Sequence, residues 1–177
     1  MRTVANGAAR EAECGPGRPA GDGAAPASPA HRHRSGDSPH ASMIPMELCR
    51  IVIRETSPEQ HIYLRETTGK KRQFPIVIGQ TEAFEIHRKV NQQKTQRPMT
   101  HDLLASVIEQ LDATLKQIVV TRLESNTFFA KLVLVRDGRE IDVDSRPSDA
   151  IALAVRFEAP IFVEEDVIAQ VAPQPEE

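Results

Sequence analysis

The stretch DGREIDVDSRPSDAIALAVRF, Asp137 to Phe157, places a turn, a strand and a helix in one continuous run. Asp137-Gly138 suits a type I′ hairpin, whose two central residues need positive φ. That turn sets the register of the strand after it, so Ile141 and Val143 share one face while Glu140, Asp142 and Asp144 share the other. Pro147 belongs in a first helical turn, and Ala150-Ile151-Ala152-Leu153-Ala154 marks a helix buried nearly all round. A strand that runs directly into a buried helix needs a sheet for that helix to lie on, and the rest of the chain supplies it.

Upstream, Thr127 to Arg136 and Leu115 to Leu123 complete a three-strand meander. Before them Thr100 is the expected N-cap of a helix in which Leu103, Leu104, Val107, Ile108 and Leu111 form one stripe, so that helix should lie flat on the sheet or on its neighbour. Thr81 to Val90 carries Ala83, Phe84, Ile86 and Val90 among charged residues and reads as another helix. Three strands precede it, Leu48 to Arg54, Gln60 to Glu66 and Arg72 to Ile78. Pro75 puts the third at an edge or a bulge, because it has no N–H to give a ladder. Ile161 to Val163 is a short last strand. The order βββ-αα-βββ-α-β predicts an α+β fold, with a mixed, largely antiparallel sheet packed against about three helices.

With 177 residues, 40% of them hydrophobic and 27% charged, the chain suits one domain with a core of its own. That domain is expected over residues 46–170. Residues 1–42 are rich in Ala, Gly, Pro, Arg and Ser without apolar periodicity and read as a disordered tail, and Met43 or Met46 offers an alternative start of translation. Residues 171–177 read as a second polar tail. Cys14, His31, His33 and His40 fall in the first tail, where nothing holds them as ligands. No segment is apolar enough for a signal core or a membrane span, so no membrane partner is expected. A net charge of -3 excludes a surface that is basic all over, and 4% aromatic residues with no Trp exclude an extended base-stacking platform. Two cysteines, Cys14 and Cys49, make no disulfide framework and fit a reducing, cytoplasmic setting.

Three stretches, FPIVIGQTEAFEI from Phe74 to Ile86, RPMTHDLL from Arg97 to Leu104 and DVDSRPSDAIALAVR from Asp142 to Arg156, resemble the bifunctional nuclease domain family. The resemblance runs in order through residues 46–170. It implies an α+β domain, often a homodimer or higher oligomer, that cleaves both DNA and RNA.

Phosphodiester hydrolysis needs an activated water, charge stabilisation at phosphorus and help for the leaving oxygen, often from divalent ions held by carboxylates. The expected catalytic residues are Asp144, Arg146, Asp149 and His101. The expected ligands of Mg²⁺ or Mn²⁺ are Asp142, Asp144, Asp149, Glu82 and Asp102. A basic surface of Lys70, Lys71, Arg72, Arg88, Lys89, Lys94 and Arg97 is expected to bind nucleic acid. Plainer roles compete with these. Asp142 and Asp144 lie about 6.6 Å apart along a strand and suit a solvated face. Asp149, Asp102, His101 and Glu82 suit first-turn capping, which leaves only Arg146 without an excuse, since a guanidinium at a helix start opposes the dipole. Two functions are therefore open, a nuclease of low sequence specificity and a non-catalytic oligomeric binding or regulatory module on the same fold.

Overall fold

The computed structural model describes residues 42–54 and 57–171. The expected tails, residues 1–42 and 171–177, lie outside these but for Ser42 and Val171. In chain order the elements are β1 Met43–Val52, β2 Glu59–Glu66, β3 Gln73–Gly79, α1 Gln80–Val90, α2 Thr100–Gln110, β4 Thr114–Glu124, β5 Thr127–Arg136, β6 Arg139–Ser145, α3 Pro147–Phe157, β7 Ile161–Glu164 and α4 Glu165–Val171. The expected order holds, with α4 added at the end. That helix is short, and its Val167 and Ile168 are fully buried. Two apolar residues in one turn carry too little periodicity to announce a helix.

One mixed sheet of seven strands runs β3-β2-β1-β7-β4-β5-β6. Two antiparallel meanders, β1-β2-β3 and β4-β5-β6, are joined by β7, which pairs antiparallel with β1 and parallel with β4. Pro75 lies in β3, an edge strand, where the missing N–H is tolerated. Asp137 and Gly138 have φ of 52° and 73°, as the hairpin requires. The pairs Ile62 with Ile76, Leu64 with Phe74, Val120 with Ala130 and Ile118 with Leu132 line up the core-facing side chains across the ladders. On them lies α3, whose Ala150 to Ala154 are all buried. Its alanines bring the helix close to the sheet, while Ile151 and Leu153 fill the space at its flanks.

The apolar stripe of α2 is not buried as expected. Leu103, Val107 and Leu111 are 58%, 44% and 52% exposed, and Leu104 and Met99 are exposed as well. The helix docks instead through His101, Ala105 and Ile108, at i, i+4 and i+7, which is a narrower line on its other flank. Beside it Val143 pairs with Leu132 and Ile141 with Leu134 on the core-facing side of the sheet, but β6 lies beyond the cover of α3 and both remain exposed. Thr100 is the first residue of α2, and the cap position falls to Met99.

Candidate functional site

The strand-to-helix junction turns at Arg146, whose extended φ of -68° and ψ of 145° place it as the N-cap of α3, with Pro147 as the first helical residue. From there the guanidinium folds back over its own helix. Nε donates to Asp149 Oδ2 at 2.7 Å and Nη2 donates to Asp149 Oδ1 at 3.1 Å, a bidentate pair. Nη2 also donates to Glu82 Oε1 at 3.0 Å, reaching across to the first turn of α1. Two carboxylates thus offset a cation that the helix dipole opposes. Asp144, the neighbour in sequence, is not a partner. Gly79, the N-cap of α1, leaves room for the Glu82 carboxylate, since a Cβ there would overlap Oε2.

His101, on the first turn of α2, completes the cluster. Its Nε2 lies 3.0 Å from Asp149 Oδ1. Burial pushes the Asp149 carboxyl up, but the bonds from Arg146 and His101 outweigh it and hold the group below the usual carboxylate range. An ionised Asp149 only accepts, so Nε2 carries the proton and donates it. In the neutral ring Nδ1 is then a bare lone pair, and that atom is buried with no hydrogen-bond partner among the described residues. Carboxylate, ring and unfilled lone pair stand in the order that prepares an imidazole to take a proton.

These groups border a cleft of about 750 Å³ between α2 and the β5-β6 edge. Its polar rim includes Glu82, His101, Asp144, Arg146 and Asp149, with Glu85 also lining it, and its apolar wall includes Leu104, Ile108, Leu132, Leu134 and Val143. So Asp149, Arg146, His101 and Glu82, drawn from three distant stretches of sequence, are brought together. Asp144 lines the same cleft.

Other expected residues are placed elsewhere. Asp142 accepts from Lys131 at 2.7 Å on the exposed face of β6, as Glu140 does from Lys116 at 2.5 Å. Asp102 accepts from Arg156 Nε at 2.8 Å, Arg88 Nη2 at 2.6 Å and the Met99 N–H at 3.1 Å. Burial raises its carboxyl, yet those three donors more than offset this and bring it down to about 2. The five acids expected as metal ligands are therefore dispersed, and among the described residues no three His, Cys, Asp or Glu side chains form a group able to hold an ion. Of these five, Glu82 Oε1 and Asp149 Oδ1 alone converge on one point, the position of Arg146 Nη2.

The basic set divides in the same way. Arg88 is bound to Glu85 and Asp102, and Arg72 to Glu66 and Glu165, so neither is free for phosphate. Lys71 donates to the carbonyl of Thr67 at the β2-β3 turn, beside Lys70. Lys89, Lys94 and Arg97 line an open groove of about 840 Å³ along the α1-α2 connection.

Glu85 and Arg156 join these groups without any local motif in the sequence to mark them. Arg156 bridges Asp102 and Glu85 with its side chain only 3% exposed. A lone Arg at the end of an Ala-rich buried helix was the available signal, because a buried charge requires a partner.

The chain matches the Bifunctional nuclease domain family over residues 62–176. It is 41% identical over 124 residues to an uncharacterised protein of Mycobacterium tuberculosis, covering 68% of this chain and 73% of that one. It is 27% identical over 114 residues to Bifunctional nuclease 2 of Oryza sativa subsp. japonica and 25% identical over 114 residues to Bifunctional nuclease 1 of Arabidopsis thaliana. Each match covers 63% of this chain but 35% of the plant protein. Among the described residues no helix is long and apolar enough to cross a membrane.

Proposed function

Because the chain belongs to the bifunctional nuclease domain family, we propose that it hydrolyses phosphodiester bonds of DNA and RNA at the cluster of His101, Asp149, Arg146 and Glu82. The observation that carries this is the His101 ring, held at Nε2 by an ionised carboxylate and left with a buried, unpartnered Nδ1. Nδ1, closed to solvent in the free protein, takes the proton of the attacking water once the substrate opens a path to it, and Asp149 fixes the tautomer and stabilises the imidazolium that forms. Arg146, two-thirds exposed, keeps Nη1 for a phosphate oxygen while Nε stays on Asp149. Lys89, Lys94 and Arg97 give the strand a sequence-independent track, which fits low specificity.

One guanidinium against the carboxylates of Glu82, Asp144 and Asp149 leaves the rim negative, so an incoming phosphodiester is repelled unless a cation joins it. Glu82 and Asp149 are the residues that would hold it, in place of Arg146 Nη2, on which both now converge; Mg²⁺ is commonly held by one or two carboxylates with water and substrate oxygens. When bound, such an ion neutralises charge at phosphorus and on the leaving oxygen. Purified protein should cleave single-stranded DNA and RNA in Mg²⁺ or Mn²⁺. Glu82→Gln, which keeps the shape and removes one charge, should raise the metal concentration for half-maximal rate about tenfold, one carboxylate's contribution of roughly 1.4 kcal/mol. Cleavage indifferent to both metal and Glu82 would remove the ion from this account.

The exposed stripe of α2 and the neighbouring Ile141 and Val143 suit a second copy of the chain in a cytoplasmic homodimer or higher oligomer. Edge-to-edge pairing of β6 is disfavoured, because the two-fold antiparallel register centred on Asp142 sets Glu140 against Asp144 and Asp142 against its own copy. Val107→Glu should therefore shift the sedimentation of the wild-type assembly to that of a monomer. The apolar wall of the cleft favours a second reading, a binding module without catalysis. That reading stands if oligonucleotides bind at the cleft and are never cut.

A further inference from the structure

Each of three helices carries a charged or titratable residue to the cleft and another to an ion cluster behind it, whose Glu85 also lines the cleft. In α1 they are Glu82 and Glu85, one turn apart. In α2 they are the neighbours His101 and Asp102, and in α3 they are Asp149 and Arg156, two turns apart. The cluster is closed: Arg156 binds Asp102 and Glu85, and Arg88 binds the same two acids. We propose that Arg156, which does not border the cleft, is a positioning residue that fixes α2 so that His101 meets Asp149. This rests on the nuclease reading of the cleft.

Weak packing of α2 makes such a device necessary. Apart from the ion pairs of Asp102, the helix is seated by His101, Ala105 and Ile108, while Leu103, Leu104, Val107 and Leu111 are exposed. So small a contact leaves rotation and sliding poorly restrained. Arg156 supplies the restraint with a rigid fork: Nε to Asp102 at 2.8 Å, Nη2 to Glu85 at 2.8 Å and Nη1 to the Ala152 carbonyl at 2.8 Å. Its plane sets the distance between α1 and α2 and ties both to the last turn of α3. Asp102 passes that position on, because it also accepts the Met99 N–H at the start of α2, two residues before His101. A lysine keeps the charge but lacks the fork, so it cannot set both acceptors at once.

The test compares wild type, Arg156→Lys, Arg156→Met and, as a control of general loosening, Ile168→Val in the buried face of α4. Imidazole ¹⁵N and ¹H spectra of the full chain report the Nε2–H bond to Asp149, and single-turnover cleavage of a single-stranded DNA oligonucleotide reports kcat and KM. In Arg156→Lys the His101 Nε2–H signal should be lost to exchange and kcat should fall on the order of 10²-fold, with KM within about twofold, the cost of a misplacement near 1 Å. Ile168→Val should change neither. Arg156→Lys with a wild-type His101 signal and kcat overturns the proposal, as does equal loss in Ile168→Val. If Arg156→Met does not fold, Arg156→Lys decides alone. If wild type cleaves nothing, the nuclease reading fails, and the His101 signal still decides whether Arg156 positions the ring.

Discussion

Asp149→Asn is expected to lower phosphodiester cleavage by about 10³ to 10⁴-fold while the protein stays folded. The carboxylate serves both neighbours at once, accepting from Arg146 at 2.7 and 3.1 Å and from His101 at 3.0 Å. An amide has one acceptor and one donor end. With its oxygen toward Arg146, the NH₂ faces His101 Nε2 and forces the ring proton to Nδ1, so the lone pair for water is gone. With its oxygen toward His101, the NH₂ meets the guanidinium, and two donors collide. Either way the cleft also loses one negative charge of the pair facing a cation. Asp144→Asn should behave differently, staying within about threefold of wild type, because Asp144 borders the cleft without bonding Arg146 or His101. Single-turnover cleavage of a labelled oligonucleotide by the two variants separates them. Equal losses would move the site toward the β6 carboxylates, and no loss in either would remove it from this cleft.

The contrast between those two aspartates shows what sequence can and cannot reveal. Hairpin, cap and helix around Arg146 are local, and their rules act over a few residues, so Asp137-Gly138, Pro147 and the Ala-rich run were legible. The need of Arg146 for an anion was legible too, from the helix dipole. Which anion was not: Glu82 lies 64 positions away, and only the packing of α1 beside α3 brings it within 3.0 Å. The five candidate metal ligands were chosen by charge and motif, and the fold divided them among a solvated strand, an ion cluster and the cleft. The α2 stripe misled for a related reason. An amphipathic pattern says that a face needs cover, and not whether the cover is this chain's own sheet. Arg156 belongs to the family stretch, but its role as a bridge appears only when Asp102 and Glu85 come to stand on either side of it.

Arg156→Met should cost about 3 to 5 kcal/mol at pH 7, a fall in Tm of roughly 10 to 20 °C, and the cost should shrink in acid. Methionine fills much of the same space, so the loss is electrostatic: the carboxylates of buried Glu85 and half-buried Asp102 are left sharing Arg88. The pH dependence follows from Asp102. Its carboxyl titrates near 3.8 in the unfolded chain and is brought down to about 2 in the fold, against the push of burial, by the Met99 N–H, Arg156 and Arg88. A depressed folded value means stability that is present above pH 3.8 and is lost as pH falls toward 2, in wild type about 2 kcal/mol over that window. Without Arg156 part of the depression goes, because only the Met99 N–H and Arg88 remain to oppose burial. Wild type therefore has more to lose on acidification than the variant has. Urea unfolding at pH 7 and at pH 3 should show the two stabilities drawing together at the lower pH. A gap that stays constant would mean that Arg156 acts through packing alone, and a gap that widens would reverse the assignment of Asp102 as its principal partner.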